Sequence, residues 1–142
     1  MKKILVLALT AVMALSLVAC GGKIKDGTYA AENKNASHGW TDYLSVTYKD
    51  GAITEVDYNA KDKDGKLKSD TPDEQYPMEP KLSVWLPELN AQIKAAGTAD
   101  KIEGVAGATF ASSSAKELMK AVEAQAKAGK TDVVVVENAV GE

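Results

Sequence analysis

Arginine is absent from this 142-residue sequence, and cysteine, histidine and phenylalanine each occur only once. All 17 basic residues are therefore lysines, and they form no basic block of the kind that displaces counterions from a nucleic acid. A single cysteine permits no disulfide within the chain, so stability must come from packing. One histidine without a second strong ligand nearby also argues against a metal site. The sequence predicts neither a nucleic-acid partner nor a bound metal.

The N-terminal segment has the pattern of a secretion signal. An apolar run from residue 4 to 19 follows two lysines and stops at Cys20. Such a run is too short and wrongly flanked for a lasting membrane span. Residues 17–20, LVAC, resemble the bacterial lipobox, in which the cysteine is the cleavage point. We predict a signal peptide at 1–19 and lipidation of Cys20. A lipidated tether at 20–25 would hold the protein to the cell membrane on its extracytoplasmic face.

The remaining chain of about 120 residues is enough for one domain with one core. We place this domain at residues 26–137, followed by a C-terminal tail at 138–142. After the signal, 15 lysines stand against 20 acidic residues, a net charge of −5.

Alternating apolar and polar residues predict three strands at the front of the domain, at 27–32, 42–48 and 52–60. Asp50-Gly51 lies between the second and third strands and readily takes the positive φ values of a tight hairpin turn. Ile53 falls on the wrong face of its strand, which predicts a bulge or an early twist.

The second half of the chain alternates between helical and extended patterns. Apolar residues recur at helical spacing over 82–96 and again over 111–126. Residues 101–105 are consistent with a short strand between the two helices. The β-branched run TDVVVVE, at 131–137, predicts a last strand that is paired within the sheet. The order indicates an α+β fold, with a mainly antiparallel twisted sheet packed with two principal helices.

The stretch GVAGATFASSSAKELM, residues 104–119, enters the second helix with an excess of glycines and hydroxyls. Ser114 and Glu117 fit a capping box, which would explain one of the serines. The remaining small and hydroxyl residues resemble an anion cradle, in which glycines let the backbone approach and free N–H groups point at the ligand. A phosphate is the anion that such a cradle most often holds.

The segment VAGATFASS resembles the threonine motif of the FMN-binding domain family, which is related to flavin subunits of bacterial sodium-pumping and electron-bifurcating membrane complexes. Three further segments, DGTYAAE at 26–32, HGWTDYLSVTYKDGAITEVDY at 38–58 and DGKLKS at 64–69, look like the single-domain lipoprotein members of that family. The resemblance runs in order along nearly the whole chain after the signal.

This resemblance implies that a flavin transferase esterifies Thr109 with FMN through the phosphate. Glu103 stands where the family has Asp, and Ala106 stands where it has Ser or Thr. The family's other motif positions map onto Gly107, Ala108, Ser112 and Ser113. The implied role is electron transfer with redox partners in the cell envelope, rather than turnover of a substrate, and no catalytic residue is predicted.

A flavin ring also needs flat apolar surfaces, and the candidates are Trp40, Tyr43, Tyr76 and Trp85. We expect the only histidine, His38, near the edge of the isoalloxazine ring, where it would tune proton-coupled reduction. Two alternatives stay open. The lipoprotein could bind FMN or another phosphorylated small ligand without a covalent bond, or its flavin site could have decayed.

Overall fold

The computed structural model describes residues 23–138. The predicted signal peptide, Cys20 and the first part of the predicted tether lie outside these residues, as do residues 139–142. Between residues 23 and 138, no helix is both long and apolar enough to cross a membrane.

Four strands form one mixed sheet: β1 (Gly27–Asn33), β2 (Thr41–Lys49), β3 (Ala52–Lys61) and β4 (Val134–Val136). Their order across the sheet is β3-β2-β1-β4. The pairs β1/β2 and β2/β3 are antiparallel, whereas β4 runs parallel to β1. The predicted α+β class with a mainly antiparallel sheet is confirmed, and the predicted last strand pairs with β1 at the sheet edge.

The front hairpin follows directly from its turn residues. Asp50 and Gly51 have φ values of 52° and 83°, as a tight turn between twisted strands requires. The register between β2 and β3 shifts at Thr47/Tyr48, so that Tyr48 faces Ile53. This irregularity is the bulge that the misplaced Ile53 predicts.

Two long helices, α1 (Leu82–Ala96) and α2 (Thr109–Ala128), pack on the sheet. α1 contacts β3, and α2 contacts β1, β2 and β4. Strands contribute alternate residues to the core and helices contribute every third or fourth. The largest fully buried side chains are Trp85, Tyr29, Leu44, Leu82, Leu89, Ile93, Leu118, Met119, Val46 and Val122.

The outer edge of β3 is closed by a side chain from α1. The Asn90 Oδ1 accepts the Tyr58 N–H at 2.7 Å, and the Asn90 Nδ2 donates to the Tyr58 carbonyl at 3.0 Å. This amide occupies the backbone groups that a further strand would need, so it protects the edge from pairing with another chain at this position.

The start of the fold is attached to the far end of α2. The Lys25 N–H donates to the Ala126 carbonyl at 3.0 Å, and the Lys25 Nζ donates to the Lys127 carbonyl at 2.8 Å. The Tyr29 hydroxyl donates to the Lys25 carbonyl at 3.0 Å. Residue 25 is therefore fixed at the C-terminal end of α2.

The short strand predicted at 101–105 is wrong. A 3-10 turn occupies Ala99–Lys101, and an irregular segment leads from there to α2. Ile102 and Val105 are buried in the core, so their apolar character fills space beneath the helices rather than pairing in the sheet.

The predicted capping box is also wrong, because α2 begins five residues before Ser114, at Thr109. Ser114 is buried inside the helix, and its Oγ accepts a hydrogen bond from the Asn33 Nδ2 at 2.9 Å. Glu117 is exposed and forms an ion pair with Lys120. The serine that resembles a cap therefore serves to join α2 to the sheet.

Candidate functional site

A cavity of about 120 Å³, hereafter the Thr109 pocket, lies beside the first turn of α2. Loops, strand β2 and both helices contribute to it, so residues far apart in sequence meet there. Its lining consists of Ser37, His38, Asp42, Lys68, Tyr76, Met78, Trp85, Gly107, Ala108, Thr109, Phe110 and Ala111.

A larger cavity of about 450 Å³ lies between β3 and α1 and contains none of the motif residues. We regard the smaller Thr109 pocket as the candidate site because of its chemistry. It combines an exposed threonine hydroxyl, a lysine, a buried carboxyl and aromatic walls, and convergence of such groups marks a site better than volume does.

The loop before α2 is held in place by side chains of both helices. The Gln92 amide clamps Gly104: its Oε1 accepts the Gly104 N–H and its Nε2 donates to the Gly104 carbonyl, both at 2.9 Å. The Ser112 Oγ accepts the Val105 N–H at 2.9 Å and donates to the Ala108 carbonyl at 2.7 Å. These bonds fix the loop from behind, so Ser112 supports the pocket without lining it.

Gly107 is the point of closest backbone approach in this loop. Its φ is +87°, and a Cβ at this position would lie 2.5 Å from the Pro80 Cδ and 2.6 Å from the Glu79 carbonyl oxygen. Both the backbone conformation and the lack of space therefore require glycine. This residue lets the segment before α1 pack directly against the motif.

Thr109 is the first residue of α2 and is exposed. The helix hydrogen bonds begin with the Ser112 N–H, which donates to the Ala108 carbonyl at 2.9 Å. The N–H groups of Thr109, Phe110 and Ala111 consequently have no acceptor within the helix, and Ala108 provides no side-chain cap. Three donors and a threonine hydroxyl thus meet at the positive end of the helix dipole.

The opposite wall of the pocket combines a lysine with aromatic rings. The Lys68 Nζ lies 4.6 Å from the centroid of the Tyr76 ring and 5.7 Å from the centroids of both the Trp40 and the Trp85 rings. Trp85 is 2% exposed, and its indole N–H donates to the Met78 sulfur at 3.0 Å. Three rings therefore hold the ammonium by cation–π attraction.

Asp42 is the buried carboxyl of the pocket lining and is only 4% exposed. Its carboxyl accepts a hydrogen bond from the Tyr58 hydroxyl and also interacts with Ser114. Burial raises the pKa of Asp42, an effect that Tyr58, Lys68 and Ser114 partly oppose. The Ser37 Oγ is buried in the lining without a hydrogen-bond partner, so the pocket presents a polar group that a ligand could satisfy.

Because the folded state raises the pKa of Asp42, the folded protein binds a proton here more tightly than the unfolded chain does. The contribution of Asp42 to stability is therefore largest below the unfolded pKa of about 3.9, and it is lost as pH rises through the higher folded pKa. We expect Asp42→Asn to remove this loss, so that the free energy of unfolding of the variant relative to wild type increases with pH. Urea unfolding between pH 3 and pH 8 measures the difference.

The control is Asp57→Asn, which changes an exposed carboxylate on β3 and leaves Asp42 intact. This variant should retain the loss of stability. Parallel pH dependences for wild type and Asp42→Asn would contradict the role assigned to the buried carboxyl.

The structure brings together most of the residues predicted to bind the cofactor. Thr109, Gly107, Ala108, His38 and Tyr76 all line the pocket. The other predicted residues occupy different places: Trp40 contacts Lys68, Ser112 lies behind the loop, and Glu103 and Ser113 are exposed and absent from the lining.

Sequence reasoning missed Asp42, Lys68, Met78 and Phe110 as pocket residues. Asp42 could have been found, because it occupies the same face of β2 as Leu44 and Val46, where an apolar residue is expected. Lys68 gives no such signal, since it is one lysine among several in a charged loop.

No protein-family model matches this chain. It is similar to the 15 kDa lipoprotein of Treponema pallidum, with 29% identity over 129 residues that cover 87% of this chain and 92% of that protein. It is also similar to a protein of Clostridium perfringens whose crystal structure is solved. That similarity has a TM-score of 0.75 at 29% identity and covers 82% of this chain and 99% of the clostridial chain. The relative with the lipoprotein name supports the prediction of a membrane-anchored lipoprotein.

Proposed function

We propose that this protein is a membrane-anchored flavoprotein that carries FMN on Thr109 and transfers electrons outside the cytoplasmic membrane. The observation that carries the proposal is the start of α2. There the exposed Thr109 hydroxyl stands beside three N–H groups that have no acceptor within the helix. A helix N-terminus of this kind stabilises a phosphate through hydrogen bonds and through the helix dipole. A phosphoester at Thr109 would place its anionic oxygens at these donors.

The rest of the pocket offers apolar surface to the flat part of the same ligand. Tyr76 provides aromatic surface in the lining, and Phe110, 43% exposed, extends this surface beyond the cavity. Pockets that enclose a drug-sized ligand measure about 300–1,000 Å³. A cavity of about 120 Å³ is smaller, so we expect it to hold one part of FMN while the remainder lies against the surface near Phe110.

In this proposal the cofactor and the protein chain have different roles. FMN supplies the redox chemistry when it is bound, and the chain supplies attachment, orientation and charge. Thr109 and the first turn of α2 hold the phosphate end, Gly107 fixes the loop, and the aromatic wall orients the ring. The lipoprotein name of the Treponema relative supports the membrane anchor.

The test is to express the protein with its own signal in a host that contains the flavin transferase, and to record its visible spectrum before and after acid precipitation. We expect a flavin spectrum, with the colour remaining in the precipitated protein. A colourless protein would overturn the flavin proposal and would leave a lipoprotein without a cofactor.

A second candidate is non-covalent binding of FMN or another phosphorylated small ligand at the same helix N-terminus. One feature of the sequence and one of the structure favour it: Ala106 lacks the hydroxyl of the family motif, and Glu103 is exposed outside the pocket lining. In this case the colour is released into the supernatant by acid, which separates the two candidates in the same experiment.

A further inference from the structure

Lys68 is the lysine of the pocket lining, and it comes from a part of the chain that the threonine motif does not include. It opens the 3-10 turn Lys68–Asp70, which lies between β3 and α1. Three aromatic rings within 6 Å position its ammonium at the wall of the pocket rather than in bulk solvent. These rings therefore hold the flexible Lys68 side chain in a defined position, and this does not require a hydrogen bond to its ammonium.

In the described part of the chain Lys68 forms no ion pair, although its charge acts on the buried carboxyl of Asp42 in the same lining. Ion pairs among residues 23–138 involve Lys34, Lys61, Lys63 and Lys120, and Lys68 takes part in none of them. Asp42 is the buried carboxyl in the same lining, and its hydrogen bonds go to Tyr58 and Ser114. The other titratable groups of the lining are His38 at the rim and Tyr76, whose ring lies against the ammonium.

We propose that Lys68 is the charge partner of the bound ring and stabilises the negative charge that the ring gains on reduction. This inference rests on the proposed function, because it concerns the same pocket and the same ligand. The position of Lys68 supports this inference. Its ammonium lies among the aromatic rings, whereas the groups that would bind the phosphate belong to the first turn of α2. A cation in this environment acts on the ring more strongly than an exposed lysine does, because less water screens it.

The chemistry requires no group beyond an external reductant. Reduction of a bound flavin by an external donor would take up two electrons and one proton, and it would leave one negative charge on the ring. The Lys68 ammonium, held at the pocket wall by the aromatic rings, would stabilise this charge. Sulfite would produce the same charge change without an electron donor, because the electron pair of its sulfur would form a bond to the ring and leave negative charge on it.

The experiment compares flavin-loaded wild type with Lys68→Met, Lys68→Arg and Lys66→Met. Methionine retains an unbranched stem against the rings but removes the charge, whereas arginine retains the charge and can also stack on aromatic faces. Lys66 is an exposed lysine two residues away and provides the matched control. The measurements are the dissociation constant for sulfite, from the bleaching of the flavin absorbance, and the midpoint potential against a reference dye.

We expect Lys68→Met to bind sulfite about tenfold more weakly and to have a lower midpoint potential, because one charge near the ring is lost. Lys68→Arg should retain values close to wild type, and Lys66→Met should not differ from it. A loaded Lys68→Met with unchanged sulfite affinity and potential would overturn this inference while leaving the proposed function intact. Equal effects in Lys66→Met would also overturn it, since they would reflect net charge alone. A colourless wild type would contradict the proposed function itself.

Discussion

Replacing Thr109 by valine is expected to leave no acid-stable flavin on the protein. Valine has nearly the shape of threonine but lacks the oxygen that would form the proposed phosphoester. Because Thr109 is exposed at the first position of α2, the substitution should cost little stability. The measurement is the flavin absorbance of the acid-precipitated protein, together with the mass of the peptide that contains residue 109.

Thr98→Val is the matched control for this substitution. Thr98 is also exposed and stands directly before the 3-10 turn Ala99–Lys101, but it lies outside the pocket lining. It should retain the flavin in full. Acid-stable flavin in Thr109→Val, with the added mass on Ser113 or another hydroxyl, would contradict the assignment of the attachment site.

The second large effect is expected for Gly107→Ala. Alanine at a φ of +87° costs about 1–2 kcal/mol in backbone strain. The new Cβ would also overlap Pro80 and the Glu79 carbonyl, and overpacking of this kind costs about 1–3 kcal/mol more. We therefore expect the free energy of unfolding to fall by about 2–5 kcal/mol, a large part of the total for a domain. Urea unfolding measures the fall, and flavin loading should decrease with it.

Gly65→Ala separates the two causes of this loss. Gly65 has nearly the same φ, +86°, but nothing lies within 4 Å of its Cβ position. The free energy of unfolding of this variant should fall only by the cost of backbone strain, about 1–2 kcal/mol. If both variants were destabilised equally, the close contact between Gly107 and the segment before α1 would have no energetic role.

The strands and helices were predictable because their signals are local. Buried residues alternate along β2, and Asp50-Gly51 can be read as a turn without knowledge of any distant contact. The start of α2 was less predictable, since the sequence signals of a cap and of a buried helical serine are the same. The start of the helix at Thr109 and the contact between Ser114 and Asn33, 81 residues apart, distinguish them.

The candidate site was predictable only where the motif itself forms it. Thr109 and Gly107 lie within three residues of each other, whereas Lys68 and Asp42 reach the same pocket through long-range packing. The cluster of Lys68 with Trp40, Tyr76 and Trp85 draws on four separate parts of the chain. No local pattern specifies such a cluster, because it depends on how α1 and the 3-10 turn Lys68–Asp70 pack against β3 and against each other.

If Cys20 carries the predicted lipid, the bonds between Lys25 and the end of α2 determine how far Thr109 can extend from the membrane. Thr109 and Ala126 are 17 residues apart on one helix, which corresponds to about 26 Å along its axis. A lipid on Cys20 would lie only five residues before Lys25, a reach of about 17 Å when the chain is extended. The predicted tether would therefore join the domain at the end opposite to Thr109. In a lipid-anchored molecule that stands upright, the threonine faces the aqueous space, where partners in solution or projecting domains of membrane proteins can approach it.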